Sequence, residues 1–276
     1  FGMATLLAVG GAYALASWDW CGRWERSPAR LVSVAEAEGA LLAGAAAVEL
    51  EPPWPVTVAG YGPPRSTATR ANRPLKARAL VLQVGSVRAA IVAVDLLLVP
   101  EPIAEEVRRR SGLADAWVVA THAHSSLGGY DERPLAVLAG TGRFRASAQE
   151  AVVRAAVEAL KLASARLVPA TATLAMGESS LCRARTGPDC DRRLLWLTLE
   201  AEAAPIGELI ALAAHPTLIP RRPDVLDSAL EIAQAFFAHI KETDPHIGAY
   251  ISTSEERALR DAERVDLAIA KDEEIP

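Results

Sequence analysis

Cysteine is scarce, with only Cys21, Cys182 and Cys190 in 276 residues. So few, in odd number, cannot form a disulfide framework, although Cys182 and Cys190 are near enough in sequence to close one small loop, and the redox compartment stays undecided. An excess of basic charge is also missing. The formal charge is −5, with acidic and basic residues dispersed, which argues against a nucleic-acid-binding surface of the usual kind. No internal repeat or low-complexity tract stands out beyond an abundance of alanine. Histidine is sparse too, at five, so two of them placed two apart draw notice. What the chain does have is apolar content, 51% of its residues, enough at this length to bury the core of one large or two small domains.

The first stretch, "FGMATLLAVGGAYALASW", carries no charge and is about as long as a bilayer crossing requires. Trp18, Trp20 and Trp24 follow, with Arg23, Arg26 and Arg30, as an aromatic and basic border. Residues 1–18 are therefore expected to be a transmembrane anchor or signal, making the protein single-pass; a cleavable signal peptide or a buried core helix are the alternatives. Residues 19–43 read as a tether. A folded domain is expected over 44–219, a linker over 220–227 and a helical tail over 228–276.

Within the domain, "KARALVLQVG" and "VRAAIVAVDLLLV" are apolar, β-branched runs separated by Gly85 and Ser86, which predicts a hairpin whose second strand is buried on both faces. "PEPIAEEVRRRSG" places acids early and arginines late, the polarity a helix dipole favours, with Gly112 to end it. "AWVVATHAH" then reads as another buried strand, and strand, helix and strand together imply parallel pairing. Residues 145–163 repeat apolar side chains at helical spacing, with Ser147 and Glu150 spaced as a capping box. "RLLWLTLEA" and "GELIALAAHPT" are further strands. The expected fold class is α/β: a mixed, largely buried sheet with flanking helices, preceded by one membrane-spanning helix and followed by the helical tail.

In an extended strand His122 and His124 point to one face, because side chains alternate with period two. That spacing lets two imidazoles approach one metal ion or one substrate. His215 also ends an apolar strand, at the edge where open α/β sheets place their ligands. Neutral imidazole binds zinc readily, and a catalytic zinc keeps a position open for water. The alternative is that these histidines cap strand ends by bonding to backbone. Asp95, ending "AIVAVD", either orients a ligand histidine or caps the helix that follows.

The ordered series "GAAAVELEPPWPVTVAGYG", "LKARALVL", "AIVAVD", "VVATHAHSSLGGY" and "ALAAHPT" resembles the catalytic domain of the neutral/alkaline non-lysosomal ceramidases, over about residues 44–219. The resemblance implies zinc-dependent hydrolysis of the amide of N-acyl sphingoid lipids, a step in sphingolipid metabolism. It implies His122 and His215 as zinc ligands, His124 as a catalytic imidazole near the substrate, and Gly128, Gly129 and Tyr130 as the supporting turn. It also implies an extracytoplasmic catalytic domain, while the flanking arginines favour the cytoplasmic side, so orientation stays open. A lipid-like substrate and a membrane are the expected partners.

The departures are specific. Ser126 and Leu127 replace the family's Gly-Pro. In "SSLCRARTGPDCD", aligning Cys182 and Arg183 with the family's Asn-Arg puts Ala184 where a serine is linked to catalysis, leaving water alone or Ser179 or Ser180 from a shifted loop. The family's further zinc ligands, a glutamate and a tyrosine, lie beyond the point where this chain leaves the pattern. Residues 228–276 resemble instead the helical N-terminus of amidase-signature enzymes, such as the A subunit of glutamyl-tRNA(Gln) amidotransferase, which suggests a fusion or chimera. His239 and His246 in this tail are expected to face solvent. Two alternatives to a ceramidase-like hydrolase follow: a catalytically inactive, membrane-tethered domain, and a fragment of an amidotransferase subunit.

Overall fold

The structure, a computed structural model, describes residues 36–60, 66–178, 191–202, 204–213 and 225–227. The chain divides into two compact units, Phe1–Glu36 and Ala37–Pro276, and the architecture below is that of the second. Its strands are β1 (Leu41–Glu49), β2 (Val56–Thr57), β3 (Thr67–Ala68), β4 (Arg70–Ala71), β5 (Lys76–Val84) and β6 (Val87–Val94). Helix α1 (Glu101–Ser111), β7 (Ala116–Ala120), α2 (Pro134–Ala139), α3 (Ala146–Ala165), β8 (Val168–Pro169), β9 (Thr171–Glu178), β10 (Arg193–Ala201), β11 (Ala204–Leu212) and β12 (Val225–Leu226) follow.

The central sheet has the order β7-β6-β5-β1-β8. β5 and β6 form the expected hairpin, and β6 and β7 pair in parallel across α1. α1 also ends as its sequence implies: Gly112 takes the left-handed conformation at φ 73° and its N–H donates to the Arg108 carbonyl at 3.0 Å. Alanine abundance finds its use in α3, which packs on β1, β5 and β6. Buried Ala148, Ala151, Ala155, Ala159 and Ala163 line this helix, and Gly44 of β1 comes so near that an added Cβ would lie 2.2 Å from the Ala163 carbonyl oxygen. The opposite face meets a three-stranded antiparallel sheet, β11-β10-β9, where Gly207 of β11 abuts Leu80 and Ala45.

Several expectations need correction. The fold is a mixed α/β arrangement, but among the described residues there are three helices and none is long and apolar enough to cross a membrane. The expected architecture of a spanning helix, a sheet and a helical tail is therefore not the one found; residues 1–18 and 228–276 lie outside the described residues. The sheet is also less enclosed than its apolar sequence suggests. β6 alternates buried Ala90, Val92 and Val94 with more open neighbours, and Trp117 of β7 is 68% exposed. The physical reason is position: β7 is an edge strand, and the second sheet meets the first at β1 and β5 rather than over β7. The capping box does not form either. Arg145 occupies the N-cap without a side-chain cap bond, and Glu150 pairs with Arg110 of α1 instead.

Candidate active site

β7 ends at Ala120, so the two histidines do not converge through strand alternation as expected. Beyond it the chain still hydrogen bonds along the end of β6, Thr121 N to Val94 O and Ala123 N to Leu96 O, both at 3.0 Å. Between these bonds His122 adopts φ 59°, a left-handed conformation that costs a non-glycine residue about 1–3 kcal/mol. That backbone turn brings the rings together edge to face, with centroids 4.9 Å apart. His122 Nδ1 lies 2.7 Å from the Leu97 carbonyl and His124 Nδ1 lies 2.8 Å from the Gly60 carbonyl. A carbonyl only accepts, so each Nδ1 carries the proton and each Nε2 is left to face the site. The two Nε2 atoms are 3.3 Å apart.

Glycines shape the cradle around this pair. Gly60 has φ 97°, and a Cβ there would lie 2.5 Å from the His124 Cα; only glycine allows so close an approach. Gly128 N donates to Thr57 O at 2.7 Å, and Gly129, at φ 78°, donates to Thr141 O at 2.7 Å. Tyr130 is fully buried, and its hydroxyl accepts from Leu98 N at 3.2 Å, next to the carbonyl that holds His122. Burial lifts its phenol well above the ordinary tyrosine value, so it stays a neutral hydroxyl. Asp95, fully buried at the end of β6, accepts from Lys76 N at 2.9 Å, from Arg78 at 3.0 Å and from the Thr121 hydroxyl at 3.3 Å. It ties the start of β5 to the residue before His122, while His122 Nδ1 meets the Leu97 carbonyl.

Sequence reasoning overlooked several of these contributors. The Leu97 carbonyl has no side-chain signature; Gly60 stood in the glycine- and proline-rich run "VAGYGPP", whose density was its one signal. Asn72 and Asp227 were missed as well. His215, Cys182, Ala184, Ser179, Ser180, His239 and His246 lie outside the described residues. Among the described residues no group of three or more His, Cys, Asp or Glu is placed to hold a metal ion. Of the zinc ligands the resemblance implies, only His122 lies among the described residues, and its Nε2, with Nδ1 held by the Leu97 carbonyl, is a donor suited to zinc.

No family model matches the chain. Over 133 residues, 43% of this chain and 20% of the relative, it is 32% identical to the neutral ceramidase of Mycobacterium tuberculosis (strain ATCC 25618 / H37Rv). Over these residues the chain is similar in sequence to a neutral ceramidase. The ceramidase-like domain also has the fold of the neutral ceramidase from Pseudomonas aeruginosa, with a TM-score of 0.56 at 20% identity, covering 67% of this chain and 34% of that one. A ceramidase complexed with C2 gives a TM-score of 0.56 at 18% identity, covering 68% of this chain and 37% of that one. The chain thus spans about a fifth of the curated relative's length and about a third of each solved structure. These ceramidase matches lend no support to the amidase-like reading of residues 228–276.

Proposed function

We propose that the ceramidase-like domain contributes to a zinc-dependent amide hydrolase acting on ceramide-like N-acyl lipids. The observation that carries this reading is the convergence of two Nε2 atoms at 3.3 Å, each imidazole fixed by a backbone carbonyl on its other nitrogen. His122 Nε2 would hold the metal, with His215 as the second histidine ligand. Asp227, further along the chain than His215, meets the histidine loop through its N–H and the Ser125 carbonyl. When bound, zinc supplies an acidified water and polarises a carbonyl.

The remaining chemistry belongs to the chain's own residues. His124 Nε2 stands beside His122 Nε2, where it can hold or pass a proton to the nitrogen of a bound amide. The Leu97 and Gly60 carbonyls fix both tautomers, so neither ring must reorient during the reaction. Tyr130 acts as a buried prop, its hydroxyl engaged by Leu98 N. A second reading, a domain that keeps the sheet without its chemistry, is favoured by Ala184, which stands where the resemblance expects serine.

Elemental analysis of zinc-supplemented full chain, together with hydrolysis of a short-chain fluorescent ceramide, tests the proposal. About one zinc per chain is expected, the occupancy of a single four-ligand site, lost in His122→Ala. Hydrolysis should fall in His124→Ala while zinc is retained. A chain that takes up no zinc overturns the metal reading, and zinc without hydrolysis favours the inactive domain.

A further inference from the structure

The segment expected to be a linker ends in a buried carboxylate beside the histidine loop. β12 pairs in parallel with β4, and Leu226 is wholly buried in the core. Asp227 is 3% exposed. Its backbone N–H donates to the Ser125 carbonyl at 2.8 Å, and Asn72 N donates to the Leu226 carbonyl at 2.8 Å. Asn72 Nδ2 closes the arrangement by donating to Asp227 Oδ2 at 3.1 Å. Three hydrogen bonds thus join a strand following β11, a loop following β4 and the residue immediately after His124.

We propose that Asp227, held by Asn72, is a positioning residue that fixes the histidine loop. The reasoning is mechanical. Ser125 is covalently next to His124, whose ring is anchored on its far side by the Gly60 carbonyl. The loop is therefore gripped from Gly60 at the ring and from Asp227 at the backbone, and the left-handed His122 sits just before this double grip. A strained residue persists only where its surroundings over-determine it. Releasing the Asp227 carboxylate weakens one of those determinants, because its bond from Asn72 helps fix the residue whose backbone N–H meets Ser125. The two Nε2 atoms would then lose their fixed spacing. No contact between Asp227 and substrate is implied.

The proposal rests on the histidine loop being the metal-binding loop, and its test keeps the two ideas separate. In the full chain, Asp227→Ala, Asn72→Ala and Asp227→Asn are compared by long-range proton–nitrogen spectra of the His122 and His124 rings without metal, then by chelator-competition zinc affinity. Leu160→Ala, which empties a buried site of α3 in the same core, serves as a control for general loss of stability. Asp227→Ala and Asn72→Ala should shift both rings' signals and weaken zinc about tenfold, the low end for residues that orient ligands. Asp227→Asn, which still accepts from Asn72, should restore both. Ring signals unchanged in Asp227→Ala, or shifts reproduced equally by Leu160→Ala, would overturn the proposal. If the parent chain binds no zinc, the metal reading fails, and the ring spectra alone decide this one.

Discussion

His122 combines a left-handed backbone at φ 59° with a side chain engaged by the Leu97 carbonyl. Such strain is a marker of functional loops when neighbouring contacts hold it in place. Here those contacts begin with Gly60, whose own φ of 97° and close approach to His124 leave no room for a side chain. Gly60→Ala is therefore expected to destabilise the domain by about 2 kcal/mol or more, combining a forbidden backbone region with overpacking against backbone atoms. Urea unfolding measures it; a variant as stable as its parent would show that the loop yields instead. At this scale the sequence disclosed which residues carry the chemistry. It did not disclose Gly60 or the Leu97 carbonyl, because a backbone oxygen has no residue identity and one glycine among several looks like any other turn.

α1 and α3 are joined by an arginine that serves both. Arg110 donates to Glu106 of its own helix at 2.5 Å and to Glu150 of α3 at 2.6 and 2.9 Å. Hydrogen bonds from Arg109 and then Arg110 hold the Glu106 carboxyl down at about 2. A depressed carboxyl contributes to stability fully above its ordinary value of 4.5 and loses that contribution as pH falls through about 2. Because the groups are exposed, the effect is small and screened by salt. Arg110→Ala should lower the melting temperature slightly at neutral pH and low salt, and the difference should shrink in high salt or near pH 2. A difference unchanged by salt would point to packing rather than charge. The helices themselves were legible, since acid-first, arginine-last polarity and a terminal glycine are local signals. Glu150 was misread as a cap because the competing arginine comes from another helix.

Across the molecule, the decisive connections are between distant segments. β12 and β4 join residues near 226 to residues near 71, and Leu226 enters the same core as Val92, Leu127 and Leu160. Leu226→Ala should cost about 2–5 kcal/mol, the usual range for emptying a buried leucine site, as measured by chemical denaturation. A cost near zero would mean that this strand is not part of the cooperative unit. The β5–β6 hairpin, the parallel β6–α1–β7 unit and α3 were legible because alternation, helical spacing and turn residues act over a few neighbours. The exposure of Trp117 was not, since burial of an apolar strand depends on what lies over it. By itself, then, the sequence determined the principal strands and helices, the ceramidase-like order of motifs and the presence of two histidines in one short turn. Only the tertiary structure decided that the His122 and His124 Nε2 atoms meet at 3.3 Å and that Asp227 grips the loop carrying them. The first depends on one left-handed residue held against its own preference, the second on a contact between segments far apart in the chain, and neither is written in local periodicity.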